Sequence, residues 1–236
     1  LRTGLDESRN MVTAKLLDYI SPQVGVEYCR KFGLPSTIYP YLSLSLGAFE
    51  VTLQEVVSAF SVFPNKGVRA RPYFIVSVED KDGQVLEENM PVTEEVISPQ
   101  LAYMMTYLLE GVVQRGTAKQ AASLGWPLAG KTGTTNKFTD AWFIGFSPSL
   151  SAGVWVGYDT KVTIGNRQSG AVVALPIWVD FFKRVIEDKK KEYQSAQAAS
   201  LPVEDEGNLA ASGTGYIEDF EIPPNLTFVT VDRKTG

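Results

Sequence analysis

Histidine is absent from all 236 residues, and cysteine occurs once, at Cys29. Without histidine no Ser-His-Asp or Cys-His unit can be assembled, and one cysteine makes neither an internal disulfide nor a Cys-rich zinc site. Any general base must be a lysine or a carboxylate. An excess of positive charge is missing too. The 22 Lys+Arg stand against 27 Asp+Glu, a formal charge of −5, whereas a nucleic-acid binder presents a basic face to phosphates. The basic triplet Lys189-Lys190-Lys191 is flanked by Glu187, Asp188 and Glu192 and reads as a solvated helix end. No run approaches the roughly 18 apolar residues of a membrane span. The opening Leu1-Arg2-Thr3-Gly4 has neither an initiator methionine nor a signal-peptide pattern, and the end, Lys234-Thr235-Gly236, stops on a turn after a strand-like run. The chain is therefore expected to be part of a longer one.

What is present suits a globular core: 44% of the residues are apolar and 11% aromatic, in a length that allows one domain or two. The first 60 residues read as helical. Val12, Leu16, Tyr19 and Ile20 recur at helical spacing, Ser21-Pro22 opens a second helix that stops at Gly33, and Thr52 with Glu55 forms a capping box. Cys29 falls within the second helix beside Phe32 and reads as a small core residue. A hairpin is predicted over Tyr73–Val78 and Val85–Leu86, reversed at Asp82-Gly83. Ser98-Pro99 then starts a helix with Leu101, Met105, Leu108, Leu109 and Val112 on its expected buried side, and Gly116-Thr117 breaks it before a short helical piece from Ala118.

After Trp126-Pro127 the pattern changes to short β runs at Leu128–Thr132, Ala141–Phe146 and Leu150–Tyr158. A closing helix is expected from Val172 to Tyr193, with Pro176 in its first turn or at a kink. Residues 194–215, rich in Ala, Ser and Gly, read as a flexible loop, and 216–236 as a C-terminal β segment carrying Leu226, Phe228, Val229 and Val231. Helices first, then consecutive antiparallel-looking strands, then a helix predict an α/β chain of the α+β type, a helix-flanked antiparallel sheet.

Two short patterns carry chemistry. Lys131-Thr132-Gly133-Thr134 places a lysine and two hydroxyls on one predicted strand. Strand alternation points Thr132 and Thr134 one way and Lys131 the other, and Gly133, lacking a Cβ, lets another backbone lie close. The same tripeptide recurs at Lys234-Thr235-Gly236, where it reads as a turn, without the second Thr and the aromatic strand that follow Lys131. Ser8-Arg9-Asn10 is the second pattern. Either Ser8 or Asn10 could simply cap the following helix; if both serve one cleft, the backbone must be a loop or a helix start, because residues two apart on a helix do not face each other. Trp142, Phe143 and Trp155 read as sheet-packing aromatics, Asp140 and Asp159 as turn residues at strand ends.

In this order and context the patterns resemble the penicillin-binding proteins, specifically the transpeptidase domain of the class A type, which uses Ser-x-x-Lys, Ser-x-Asn and Lys-Thr-Gly. The likeness extends over Arg2-Thr3-Gly4-Leu5, Gly116-Thr117-Ala118, Lys131 to Asn136, Asp140-Ala141-Trp142-Phe143-Ile144-Gly145 and Val154-Trp155-Val156-Gly157-Tyr158-Asp159. No Ser-x-x-Lys occurs among the 236 residues.

The resemblance implies the penicillin-binding protein/β-lactamase-like fold lacking its N-terminal part, and a serine-type transpeptidase whose nucleophile lies in an N-terminal segment outside this chain. It implies that Ser8 relays a proton, Asn10 holds the substrate amide, and Lys131 supplies positive charge. Thr132, Gly133 and Thr134 would bind the carboxylate end of a peptidoglycan stem peptide or a β-lactam, with the Thr134 N–H as one oxyanion donor. No cofactor, metal or nucleic acid is called for. The full-length protein is expected at the extracytoplasmic face of a bacterial inner membrane, anchored upstream. The alternatives are a non-catalytic cell-wall scaffold, or a D,D-carboxypeptidase or β-lactamase of the same fold.

Overall fold

The computed structural model describes residues 1–35, 37–199 and 218–230. Three helices come first: α1 (Arg2–Asp6), α2 (Asn10–Ile20) and α3 (Pro22–Lys31). α3 starts where the sequence predicts, with Pro22 at its first position and the Ser21 hydroxyl accepting from the Gln23 N–H. A short 3-10 turn, Leu42–Leu46, precedes α4 (Leu53–Ser61), whose capping box of Thr52 and Glu55 is fully formed. Two small antiparallel ladders follow. β1 (Val68–Ala70) pairs with β4 (Thr93–Glu95), and between them β2 (Ser77–Glu79) and β3 (Val85–Glu88) form the predicted hairpin. Its ladder begins at Ser77, so Tyr73–Val76 lie outside it.

The helix α5 (Pro99–Gln114) opens with the Ser98 hydroxyl accepting from the Leu101 N–H. Its buried stripe is Ala102, Thr106, Leu109, Val112 and Val113, whereas Leu101 is 48% exposed. The expected face is thus rotated. α5 lies against the sheet, and close approach favours small residues there; Thr106 enters the core because its hydroxyl donates to the Ala102 carbonyl at 3.0 Å. In α2 likewise the buried residue is Leu17, with Tyr19 almost fully exposed, because the contact of this helix is with Leu44 and its neighbours in a small second core.

β5 (Ala129–Thr134), β6 (Asp140–Phe146) and β7 (Ser151–Gly157) form an antiparallel sheet in that order. Lys131 stands opposite Ile144, and Ile144 opposite Gly153; Thr132, Phe143 and Val154 occupy the next rung and point to the other face. α4 covers the Lys131 face, where Leu53 and Val57 reach Gly153. The other face carries α6 (Leu175–Ala199), which starts after a π-turn at Gly170–Ala174 and holds Pro176 in its first turn. Trp178 of α6 is fully buried, stacks on Phe182 at 3.9 Å and meets Phe143 edge-on at 5.0 Å between ring centroids. Its indole N–H donates to the Ala152 carbonyl at 3.0 Å. Burying rings of this size contributes about 1.5–3 kcal/mol each.

Two sequence expectations change at the C-terminal side. Residues 194–199, assigned to a loop, continue α6, since Ala and Gln favour helix and no breaker precedes Pro202; the rest of that loop lies outside the described residues. The expected β segment shows no strand over 218–230. This stretch pairs with no strand and packs through its side chains on the end of β6 and on α5. Phe220 is buried 5.7 Å from Phe146, Phe228 meets Tyr103 at 6.3 Å, and the Pro224 carbonyl accepts from Gln100 Nε2 at 3.1 Å. Val231 and Lys234-Thr235-Gly236 lie outside the described residues.

Candidate active site

Ser8 sits in the turn between α1 and α2 with φ 55°, a left-handed conformation that a serine adopts at a cost of about 1 kcal/mol. The turn closes through Ser8 N–H to the Leu5 carbonyl at 3.1 Å and Arg9 N–H to the Gly4 carbonyl at 2.7 Å. Arg9 is the N-cap of α2 and makes no side-chain cap. Neither Ser8 nor Asn10 therefore caps the helix. Asn10 is the first residue of α2, exposed, with its amide engaged in no hydrogen bond among the described residues.

Across 123 residues of sequence, the Lys131 ammonium donates to the Ser8 hydroxyl at 2.7 Å. It also donates to the Thr132 carbonyl at 3.1 Å and forms no carboxylate ion pair among the described residues. Burial alone lowers its pKa from 10.5 to about 8. Such a lysine is charged near neutral pH yet gives up its proton readily, as proton transfer to and from a hydroxyl requires.

Thr132 and Thr134 point to the face opposite Lys131, as strand alternation dictates. The Thr132 hydroxyl shares a 2.8 Å hydrogen bond with Thr117, in the turn after α5. The Thr134 hydroxyl accepts from the Gly170 N–H at 3.0 Å, and its own proton has no acceptor among the described residues. Gly170 must be a glycine, since a Cβ there would come within 2.5 Å of the Gly133 carbonyl. Gly133 stands opposite Trp142, and a Cβ on Gly133 would press the Trp142 side chain at 3.2 Å. β5 is an edge strand of its sheet among the described residues, so the lysine on one face and the hydroxyls on the other flank one open edge, where an extended peptide can add.

The turn joining β5 to β6 is held by Asp140. Its carboxylate accepts from Thr139 at 2.8 Å, Thr135 at 3.1 Å and the Trp155 indole at 3.1 Å. Partial burial pushes this carboxyl up, but the hydrogen bonds from Thr139, Trp155 and Thr135, helped by Lys161, outweigh it and hold the pKa below the ordinary value. Asp140 is thus a turn-fixing residue, as its place in the sequence suggests. Of the aromatics, Phe143 is core, while Trp142 and Trp155 pair at 6.1 Å on the opposite, partly open face. Cys29 is half-buried beside the second core, where burial raises its thiol pKa, consistent with an inert packing residue. Thr117 and Gly170 carry no motif of their own; only the Gly-Thr-Ala likeness hints at the first.

Residues 1–183 match the family model of the penicillin binding protein transpeptidase domain. The chain belongs to the penicillin-binding protein transpeptidase family. Similar penicillin-binding proteins include penicillin-binding protein 1A of Aquifex aeolicus, 40% identical over 99% of this chain, and that of Neisseria gonorrhoeae, 35% identical over 93%. The chain spans 28% and 27% of the length of these two curated relatives. Among solved structures, penicillin-binding protein 1A from Haemophilus influenzae superposes on 80% of this chain and 34% of its own, with a TM-score of 0.76 and 26% identity. An imipenem acyl-enzyme complex of penicillin-binding protein A from M. tuberculosis shares the fold, with a TM-score of 0.64 and 23% identity over 76% of this chain and 46% of that one. The helix-flanked antiparallel sheet is therefore the penicillin-binding protein transpeptidase architecture.

Proposed function

We propose that this chain supplies the Ser-x-Asn and Lys-Thr-Gly side of a class A D,D-transpeptidase, and that the nucleophilic serine belongs to a Ser-x-x-Lys segment outside the 236 residues. The observation that carries the reading is the 2.7 Å hydrogen bond between Lys131 Nζ and Ser8 Oγ, which joins the two motifs into one site. In the reaction the nucleophilic serine oxygen attacks the penultimate D-alanyl carbonyl carbon of a stem peptide. The C–N bond breaks, and the departing amine takes a proton delivered through Ser8, with Lys131 stabilising the charge. D-Alanine leaves, an acyl ester remains, and a second stem's amine attacks it to form the cross-link and return the serine.

Asn10 orients the substrate amide, Thr132 and Thr134 bind the terminal carboxylate, and Gly133 admits the peptide along β5. The Thr134 N–H is an oxyanion donor. β-Lactams occupy the same positions and stop at the acyl ester. The transpeptidase unit, read from sequence as residues 1–193, takes in the docked 218–230 stretch; the protein acts at the extracytoplasmic face of the inner membrane.

The test is labelling of the full-length protein by fluorescent penicillin, with D-alanine release from a pentapeptide. Lys131→Ala and Ser8→Ala are expected to abolish both, and Lys234→Ala to leave both unchanged. Undiminished labelling of Lys131→Ala sinks the assignment of the lysine, and covalent label on the isolated 236 residues sinks the placement of the nucleophile elsewhere.

A further inference from the structure

We propose that Asp6 is a positioning residue that locks the Ser8 turn onto the end of α5 and so holds Ser8 in register with the Lys131–Thr132 strand. The inference rests on the proposed role of Ser8 and Lys131.

Asp6 ends α1, two residues before Ser8, and is 6% exposed. One carboxylate oxygen accepts from Arg115 Nε at 3.3 Å; the other is buried with no partner among the described residues and faces Gly111, where a Cβ would stand 2.5 Å from it. The Asp6 main-chain carbonyl accepts from the Thr117 N–H at 3.1 Å. Next to it a Cβ on Gly116 would meet that same carbonyl oxygen at 2.1 Å, so only glycine lets α1 seat here. Thr117 in turn bonds Thr132 at 2.8 Å, and Lys131 bonds Ser8 at 2.7 Å.

These contacts close a ring: Ser8, Lys131, Thr132, Thr117, Asp6 and back along the chain to Ser8. A left-handed serine persists only where its surroundings over-determine it, and the ring does so. A buried carboxylate with one bare oxygen is a poor source of stability, because its desolvation offsets the ion pair. Its use is geometric: it draws Arg115 and the last turn of α5 onto α1. The ring itself runs through the Asp6 main-chain carbonyl, and the carboxylate adds the tie to Arg115; without that tie the end of α5, and Thr117 with it, is held less firmly on α1, the Ser8 hydroxyl shifts from Lys131, and water reaches the ammonium.

The test uses the full-length protein and a chromogenic penicillin, separating the dissociation constant of the first complex from the acylation rate constant. Asp6→Ala is expected to lower the acylation rate by about tenfold or more, since misplacement by about 1 Å can cost far more than that, with the first complex changed by less than about twofold. An alkaline limb is expected in the parent protein from Lys131, whose pKa burial lowers to about 8, and it should move upward as the ammonium is rehydrated. Asp6→Asn, equal in shape but uncharged, moves both readouts in the same direction by less, and decides the matter if Asp6→Ala does not fold. Arg184→Ala, in an exposed pair on α6, changes neither.

Parent-like acylation and an unmoved limb in a folded Asp6 variant overturn the proposal, as does a loss confined to the first complex. Should the parent protein not be acylated at all, the proposed function fails instead. NMR titration of Lys131 then still decides: a higher pKa in Asp6→Ala supports the brace, and an unchanged one refutes it.

Discussion

Replacing Lys131 by methionine is expected to stabilise the protein while removing its activity. Burial brings the Lys131 pKa from 10.5 down to about 8. A fall of about 2.5, at roughly 1.4 kcal/mol per pH unit, puts the cost of keeping this ammonium charged at neutral pH at about 3.5 kcal/mol before any screening. The side chain is partly exposed, so water screens some of this cost, and the hydrogen bonds to Ser8 and Thr132 are lost with the nitrogen; a net gain of about 1–2 kcal/mol is the reasonable expectation. Methionine keeps the length of the stem and brings no charge into the site. The dependence on pH is sharper than the absolute gain. Because the folded pKa lies below the unfolded one, the unfolded chain binds more protons between about pH 8 and 10.5, and the parent protein gains stability as pH rises through that window. The methionine variant has no such gain. Its advantage is therefore full below pH 8 and fades towards pH 10.5. Denaturant midpoints of both proteins at about pH 6.5 and about pH 10 measure the difference, and in melting temperature it amounts to about 2–4 °C per kcal/mol for a chain of this size. A methionine variant less stable at the lower pH, or equally advantaged at both, refutes the buried-charge account. Penicillin acylation retained by that variant refutes the role of the charge.

Two further outcomes follow from single hydrogen bonds. Trp155→Phe removes one donor to Asp140, so the Asp140 carboxyl should titrate at higher pH by NMR. Since a depressed carboxyl pKa contributes stability above its unfolded value and loses it as pH falls through its folded one, the variant should be about 1 kcal/mol less stable at neutral pH and lose less on acidification; an unmoved Asp140 titration refutes the hydrogen-bond explanation. Thr134→Val keeps the shape of the side chain but leaves the Gly170 N–H without its acceptor. A loss of about 1–3 kcal/mol on denaturation is expected, together with a weaker first complex with penicillin; unchanged values for both contradict the double use of this hydroxyl.

Much of the fold was legible because local signals agreed with the packing they serve. Thr52 with Glu55, Ser21-Pro22 and Ser98-Pro99 all start helices as predicted, since a cap is a contact within one turn. The three strands after Trp126 fell within two residues of their observed limits. On α5, Leu109 and Val112 are buried as expected but Leu101 is not, because apolar spacing tells which residues could be buried, not where the neighbouring element lies. The same limit applied to 218–230, whose alternating apolar residues suit a strand yet pair with none: Phe220 packs on Phe146 of β6 and Phe228 on Tyr103 of α5.

By itself, the sequence determined the chemistry that could be present. With no histidine and one cysteine, only lysine, carboxylate and hydroxyl groups were left for proton transfer, and two short motifs held them. It also determined that Lys131 and Thr132 face opposite ways, because that follows from the period of a strand. Tertiary structure alone decided that Ser8 meets Lys131, that the lysine loses much of its water, that Thr117 reaches Thr132, and that Asp6 closes the ring. Each of these is a contact between residues far apart in the chain, or a degree of burial, and both arise only when separate elements dock and exclude solvent.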